Sequence, residues 1–356
     1  MKKTIFALII ALLFALCSQL LPGEEETAPA IPEASVPVSG NGLTVHFIDV
    51  GQADCALLEC DGEFMIIDGG NVEDGQMVVS YLNQMGVEKL DAVVCTHAHE
   101  DHVGGLPAVL AVYDAETVYS PVTEYSSKVF GDFVTYTEKQ GLSLTVPEPG
   151  DNFTLGSASV TVLGPTRDYD DPNNTSIILK VTYGESDFLF TGDMETSAEA
   201  DMLDYWGDRM DWDVEVLKVG HHGSDTSTSY RFVYETSPTY GVISVGEGNS
   251  YGHPHEEPLS RLKDAGVVLL RTDELGHIIA RADGEEITFT WEDQSAQPGD
   301  VEAAESNTII FYGNKKSKKL HTADCSNLPA EDNRVEFTDY QEAINAGYEP
   351  CGSCIG

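Results

Sequence analysis

The sequence predicts an α+β architecture, two packed sheets flanked by helices, followed by a small zinc-binding α/β module. Three observations carry this. Strand-like runs between Leu43 and Trp291 fall into two strand-rich halves with helices between them, a pattern that buries its apolar faces by packing sheet on sheet and covering the outsides with helices. The apolar run Ala92–Cys95 breaks into a loop that presents His97, His99, Asp101 and His102 within six positions, where a strand end can aim side chains into one pocket. Near the C terminus, His321-x3-Cys325 and a distant Cys351-x2-Cys354 match the spacing of a tetrahedral Cys3His zinc site.

With 356 residues, one large domain plus something smaller is expected, and a 41% hydrophobic composition is ample for a core. The net charge of −41 is spread along the chain. Such a surface repels polyanions at long range and disfavours broad electrostatic capture of nucleic acid.

Met1-Lys2-Lys3 followed by the apolar run Thr4–Leu21 reads as an export signal or membrane anchor over 1–22. Ala15-Leu16-Cys17-Ser18 has the look of a lipoprotein attachment site, although Leu16 is bulkier than the residue usual before that cysteine. Residues 23–42 form a Pro, Glu, Ala and Ser linker with nothing to pack. The working part is therefore expected outside the cytoplasm, secreted or anchored to the outer face of the cell membrane.

From Leu43 the chain reads as strands at Leu43–Val50, Ala56–Glu59 and Phe64–Ile67, the last two joined by an Asp61-Gly62 turn. Helix Gln76–Met85 stops at Gly86, strand Ala92–Cys95 delivers the histidine loop, and Gly104-Gly105 turn the backbone into a helix to Tyr113. A less regular middle holds a helical stretch near Tyr125–Gln140. Strands Ser159–Leu163, Ser176–Tyr183 and Phe188–Thr191 end at Thr191-Gly192-Asp193, which places a carboxylate at a strand end. Helix Met194–Trp206 and strand Val214–Val219 lead to a second histidine loop, Gly220-His221-His222-Gly223-Ser224. A helix near Ser229–Glu235, strand Gly241–Val245, the loop holding His253 and His255, a helix to Ala265 and three strands complete the domain at 43–291. After a linker at 292–306, the module at 307–356 contains a strand Thr308–Tyr312, the segment Asn333–Phe337 and a helix Asp339–Ala346.

Neutral imidazoles and carboxylates suit zinc and similar divalent metals. A surface loop merely rich in histidine is the bland alternative, but three of the ten histidines lie within this one loop with Asp101 between two of them. Thr96-His97-x-His99-x-Asp101-His102-x-Gly104-Gly105, with Thr191-Gly192-Asp193 and a later histidine loop, resembles the metallo-β-lactamase fold hydrolases. Phe47-Ile48-Asp49-Val50-Gly51-Gln52-Ala53-Asp54, Ile66-Ile67-Asp68-Gly69-Gly70, Asn173-Asn174-Thr175-Ser176, Leu217-Lys218-Val219-Gly220-His221-His222-Gly223-Ser224 and Tyr251-Gly252-His253-Pro254-His255 are similar to one branch. That branch is the extracellular hydrolase domain of ComEC-type DNA-internalisation competence proteins. The likeness runs from about Leu43 to Trp291. The channel-forming membrane portion is absent from this sequence, so a stand-alone relative is implied.

The resemblance implies a four-layer αβ/βα fold and two divalent ions, zinc or manganese. It implies His97 and His99 on one ion, Asp101 and His102 on the other, Asp193 bridging both, and a histidine of the second loop completing the site, His222 favoured over His221. Many relatives supply a further histidine between the first loop and the bridging aspartate, yet none occurs from Val103 to Gly220; Asn173 or Asn174 lies at about that place. An amide oxygen is a harder, weaker ligand than imidazole, so manganese is in play. His253 is expected to bind a phosphate or protonate a leaving group, with a purely structural turn histidine as the alternative. His255, His46 and His277 are read as structural, and Asp49 and Asp68 as fixing turns or supporting ligands. Two such ions bring a shared water's pKa toward ~7, and Asp101 and Asp193 would keep ions and nucleophile in place for attack on phosphorus.

The C-terminal segment resembles the small zinc-binding domain at the front of the Ada DNA-repair methyltransferase, with His321 standing where the methyl-accepting cysteine falls. A structural zinc on His321, Cys325, Cys351 and Cys354 follows from the likeness, and a Cys351–Cys354 disulfide is the oxidised alternative outside the cell. Lys315, Lys316, Lys318 and Lys319 are either DNA contacts or a solvated turn. Cys55, Cys60 and Cys95 read as buried thiols. The expected function is hydrolysis of phosphodiester bonds, with DNA or another phosphodiester as substrate and the membrane met through the N-terminal segment. A small-molecule hydrolase of the same fold (phosphocholine esterase or lactonase) and a non-catalytic DNA-binding lipoprotein are the competing classes. No protein partner is legible.

Overall fold

The computed structural model describes residues 42–292 and 310–355, apart from 324, 339 and 353. The expected anchor and most of both linkers lie outside the described residues. Among the described residues no helix is long and apolar enough to cross a membrane.

Two sheets are built from strands β1 Leu43–Phe47, β2 Ala56–Cys60, β3 Glu63–Ile67, β4 Leu90–Val94, β5 Ala115–Tyr119, β6 Leu144–Thr145, β7 Asn152–Leu155, β8 Ala158–Gly164, β9 Ile178–Tyr183, β10 Ser186–Phe190, β11 Val216–Lys218, β12 Tyr240–Ile243, β13 Val268–Arg271, β14 Ile278–Ala282 and β15 Ile287–Trp291. The first sheet runs β15-β14-β1-β2-β3-β4-β5-β6 and the second β13-β12-β11-β10-β9-β8-β7. Both are mixed: antiparallel hairpins give way to parallel pairing at β3-β4-β5-β6 and at β10-β11-β12-β13.

Alternation along the strands sorts side chains between layers. Leu58, Met65 and Ile67 face the second sheet and meet Phe188, Phe190 and Val216 in the central core. Leu57 and Ile66 point the other way, onto helices Gly75–Gln84, Leu106–Leu110 and Lys128–Lys139. Leu189, Leu217 and Ile243 pack against helices Thr196–Trp206, Tyr230–Thr236 and Glu256–Asp264. The order is helix, sheet, sheet, helix, the expected four layers.

Three local readings differ from expectation. The helix expected from Gly104 to Tyr113 is shorter, Leu106–Leu110, with Pro107 in its first turn, and a separate short helix, Glu100–Val103, precedes it within the histidine loop. Gly104 and Gly105 have ordinary helical backbone angles (φ −55° and −84°), so no special turn requires them. They are small because they pack backbone on backbone: a Cβ on Gly105 would lie 2.1 Å from the Gly69 carbonyl oxygen, and one on Gly104 2.4 Å from the Asn71 carbonyl carbon. The irregular middle contains β5, whose burial is mixed, and the short edge strands β6 and β7, so there is little alternation to read.

A third, smaller sheet pairs Arg334–Phe337, Phe311–Asn314, Lys319–His321 and Glu349–Pro350 in that order, with a helix Tyr340–Asn345 against it. Its core of Phe311, Leu320, Phe337, Tyr340 and Tyr348 extends onto Tyr230 and Tyr234 of the Tyr230–Thr236 helix. Tyr230 meets Phe311 edge to face at 5.5 Å and Tyr234 stacks on Tyr340 at 5.0 Å.

Candidate metal centre

The site collects where parallel strands of both sheets end. Asp68 follows β3, Thr96 and His97 follow β4, Asp193 follows β10, His221 and His222 follow β11, and His253 lies in the loop after β12. Short turns leave these strand ends with their next side chains aimed into the crevice between sheets, the usual ligand position in open α/β sheets.

Four residues form its densest part. Single ligand atoms of Asp101, His102, Asp193 and His222 all lie within 4.8 Å of one another. His102 Nε2 is 3.2 Å from Asp193 Oδ1, and His222 Nε2 is 3.4 Å from Asp101 Oδ2 and 3.7 Å from Asp193 Oδ2. His97 Nε2 is 3.9 Å and His221 Nε2 3.7 Å from the same Asp193 Oδ2. His99 Nδ1 lies 3.0 Å from His97 Nε2. Asp193 thus faces four imidazoles, those of His97, His102, His221 and His222.

Supporting contacts fix the rings. Asp68 accepts hydrogen bonds from the Thr96 backbone N–H (2.7 Å) and hydroxyl (2.6 Å), and its Oδ2 meets His102 Nδ1 at 2.8 Å. His222 Nδ1 faces the Ser244 carbonyl at 3.0 Å. Each histidine is thereby held with Nε2 turned toward the cluster. His221 and His222 both occupy the left-handed backbone region (φ 50° and 54°), a conformation costly for residues other than glycine. That local strain lets adjacent residues present both rings to Asp193.

Charge follows geometry. Burial opposes ionising His102, but Asp193, Asp68 and Asp101 outweigh it and raise its pKa well above the ordinary imidazole value. His222 is likewise pushed up to about 10, burial being overcome by Asp193 and Asp54. Asp193 is buried and Asp101 partly so, yet both are held below the usual carboxylate range by His102 and by His222. His102 Nε2, His222 Nε2 and Asp193 Oδ1 are buried with no aligned hydrogen-bond partner. A pocket whose carboxylates force protons onto two imidazoles, with orphaned ligand atoms converging, fits divalent cations, which would take the place of those protons.

Other expected residues have different surroundings. Asn174 is buried, and its side-chain oxygen accepts the Glu195 backbone N–H at 3.0 Å while its amide nitrogen donates to Glu195 Oε2 at 3.4 Å. Asn173 is buried beside it. His253 is half-buried, 5.7 Å from the His221 ring and 6.4 Å from the His222 ring. The Gln52 amide nitrogen lies 3.2 Å from His253 Nδ1, while the Gln52 carbonyl accepts from Gly246 N–H at 3.3 Å. Burial and the neighbouring His222 and His221 lower the His253 pKa to about 4. His255 accepts the Asp225 backbone N–H, His277 accepts that of Asp49, and His46 pairs with the Tyr81 hydroxyl. Asp49 accepts the Gly51 N–H and so fixes a turn.

Two residues in the site had no assigned role in the sequence: Asp54 and Lys218, a buried ion pair at 2.7 Å. A lysine inside the apolar run Val216-Leu217-Lys218-Val219 was the available signal, since a buried ammonium needs a buried anion.

In the third sheet's module, ligand atoms of His321, Cys325, Cys351 and Cys354 lie within 4.8 Å of one another. His321 Nδ1 is 3.3 Å from Cys325 Sγ. Burial and the adjacent Cys325 thiol push Cys354 up to about 12. Three crowded thiols and an imidazole fit one tetrahedral zinc, which would convert those thiols to thiolates. Lys315, Lys316 and Lys318 are exposed on the neighbouring turn. Lys315 donates to the Asp332 carbonyl, Lys318 covers the Tyr348 ring at 4.4 Å, and Lys319 pairs with Glu349 at 3.0 Å. Cys55, Cys60 and Cys95 are buried, as expected.

Similarity to known proteins agrees with this geometry. The ComE operon protein 3 of Bacillus subtilis (strain 168) is 28% identical over 265 residues, 69% of this chain and 34% of that protein. Competence protein ComA of Neisseria gonorrhoeae is 31% identical over 243 residues, 68% of this chain and 32% of that protein. The chain thus spans about a third of the length of these curated relatives. The metallo-beta-lactamase fold protein YhfI from Bacillus subtilis superposes with a TM-score of 0.44 at 14% identity, covering 62% of this chain and 93% of that one. Residues 48–247 match the family model described as the metallo-beta-lactamase superfamily, and with the two-sheet fold and the strand-end cluster they establish that the chain belongs to that superfamily of hydrolases.

Proposed function

We propose that the chain is an extracytoplasmic metal-dependent hydrolase of phosphodiester bonds acting on DNA. The observation that supports it most is the convergence of Asp101, His102, Asp193 and His222 beside His97 and His99, in a chain similar to proteins named for competence. His97, His99 and Asp193 would hold one divalent ion, and Asp101, His102, His222 and Asp193 the second. Bound ions supply Lewis-acid polarisation of a phosphoryl oxygen and water activation at neutral pH.

The residues around them supply placement. Asp68 and the Ser244 carbonyl keep the His102 and His222 rings in the tautomer that leaves Nε2 as ligand. Gly246 fixes the Gln52 amide so that its nitrogen donates to His253 Nδ1, which assigns the remaining proton to His253 Nε2. A neutral imidazole with an outward N–H binds a phosphate oxygen and is a poor proton source, so His253 orients substrate. The terminal zinc module would add DNA affinity through Lys315, Lys316 and Lys318.

The net charge of −41 favours a second reading, a hydrolase of small phosphodiesters or other compact substrates that feel less long-range repulsion. The test is cleavage of labelled single- and double-stranded DNA, and of a phosphodiester dye substrate, with manganese or zinc. DNA cleavage lost in both His97→Ala and Asp193→Ala is the expected result. Dye turnover without DNA cleavage would move the assignment to a small substrate, and inertness toward both would leave a binding protein.

A further inference from the structure

Asp54 lies outside the Asp101–His102–Asp193–His222 group, on the Nδ1 side of His102 and His222, where its carboxylate converges with Asp68 on His102. Its side chain is 7% exposed, with Oδ2 2.7 Å from Lys218 Nζ and 4.0 Å from His102 Nδ1, and Oδ1 3.2 Å from His222 Nδ1. Ser244 takes the aligned hydrogen bond from His222, so Asp54 Oδ1 is close by charge and not by an aligned bond. Its backbone N–H donates to the Asp101 carbonyl at 3.1 Å, and its own carbonyl accepts from Gly70, two residues past Asp68. One residue therefore lies within 4.0 Å of the three groups proposed to share an ion with Asp193, and among the described residues its hydrogen bonds and ion pairs include neither His97 nor His99.

Lys218 is the counterpart on the other sheet. It ends β11, its ammonium also donates to the Val219 carbonyl at 3.0 Å, and four residues later the chain reaches His222. The two sheets are thus tied by one ion pair directly under the ligand rings. An anchor of that kind sets the distance between His102, carried by the first sheet, and His222, carried by the second.

We propose that Asp54 and Lys218 are a positioning pair for the Asp101–His102–His222 half of the centre, so that one of the two metal positions depends on them and the other does not. This rests on the two-ion reading above. Support of this kind is worth ~10- to 100-fold in metal affinity where it has been removed from other sites.

The test measures manganese binding by the full chain, through equilibrium titration and the electron paramagnetic resonance signal that distinguishes a coupled pair of ions from an isolated one. Asp54→Asn should weaken one of two ions by ~10- to 100-fold, leave the other unchanged and replace the coupled signal with an isolated one. Lys218→Met should do the same and also destabilise the fold, because it strands a buried carboxylate. Lys218→Arg, which keeps the charge, should retain the coupled signal. The double variant Asp54→Asn/Lys218→Met should recover stability but not affinity, which separates positioning from a merely structural role. Equal weakening of both ions, unchanged affinity in Asp54→Asn, or affinity that returns with stability in the double variant would each overturn the inference. A wild-type chain that binds fewer than two ions would instead overturn the two-ion reading, and this inference with it.

Discussion

The two candidate metal sites are built on opposite terms. The strand-end cluster is mounted on a large core: two sheets, three packed apolar layers, and ligand rings held by Asp68 and Ser244. The His321–Cys325–Cys351–Cys354 cluster belongs to a segment whose own core is Phe311, Leu320, Phe337, Tyr340, Ala343, Tyr348 and Ile355 among the described residues. That is little burial for an independent fold, and the segment borrows Tyr230 and Tyr234 from the larger one. A metal in the first site would supply chemistry to a formed scaffold; in the second it would supply folding energy.

The largest effect expected from this contrast is at the C-terminal cluster. Cys351→Ser should remove one equivalent of zinc and unfold residues 310–355, since structural zinc is worth ~10 kcal/mol or more to such a module. Limited proteolysis should then release that segment and leave 42–292 intact. A protease-resistant, zinc-free module would erase the distinction. Next in size, Asp193→Ala should lower hydrolysis by about 10³-fold or more, as loss of a ligand shared by both ions removes the polarisation they provide. Thermal unfolding of the metal-free variant should stay near wild type; a collapse of the fold would mean the cluster is structural after all.

His46 gives a calibrating contrast of intermediate size. It is buried like His102 but faces a tyrosine hydroxyl instead of carboxylates, and burial, with Arg281 and His277 nearby, lowers its pKa to about 4. The unfolded chain therefore binds a proton at a higher pH than the folded one. Stability should be complete above about pH 6.5 and fall as pH drops toward 4, by at most ~3 kcal/mol from this residue. Chemical denaturation across that range should show a shallower fall in His46→Gln; an identical profile would sink the assignment. The smallest difference expected is between neighbours in one loop. His222→Ala should cost more affinity for one ion than the ~10- to 100-fold expected for a residue that only supports a ligand, and His221→Ala less, because His222 is buried within the four-residue cluster while His221 stands at its rim. Equal losses would show that both imidazoles are ligands.

Much of this was legible in the chain. The first histidine loop, Thr191-Gly192-Asp193 and the Gly220–Ser224 loop each announce themselves by residue type at a strand end, and the His321–Cys354 set by its spacing. Edge strands such as Asn152–Leu155 were not legible, because four residues give too short a period to read.

What the sequence determined by itself was the inventory: which strands would alternate, which loops would carry imidazole and carboxylate, and to which superfamily their order belongs. Tertiary structure decided how that inventory is shared out. It buried Asp54 against Lys218, 164 positions away, turned the Asn174 oxygen toward Glu195, and set His222 inside the cluster and His221 at its edge. The physical reason is that ligand types follow from local chemistry, whereas the support beneath them comes from two sheets meeting. Which buried charges then face each other depends on the packing between those sheets and on no short stretch of chain.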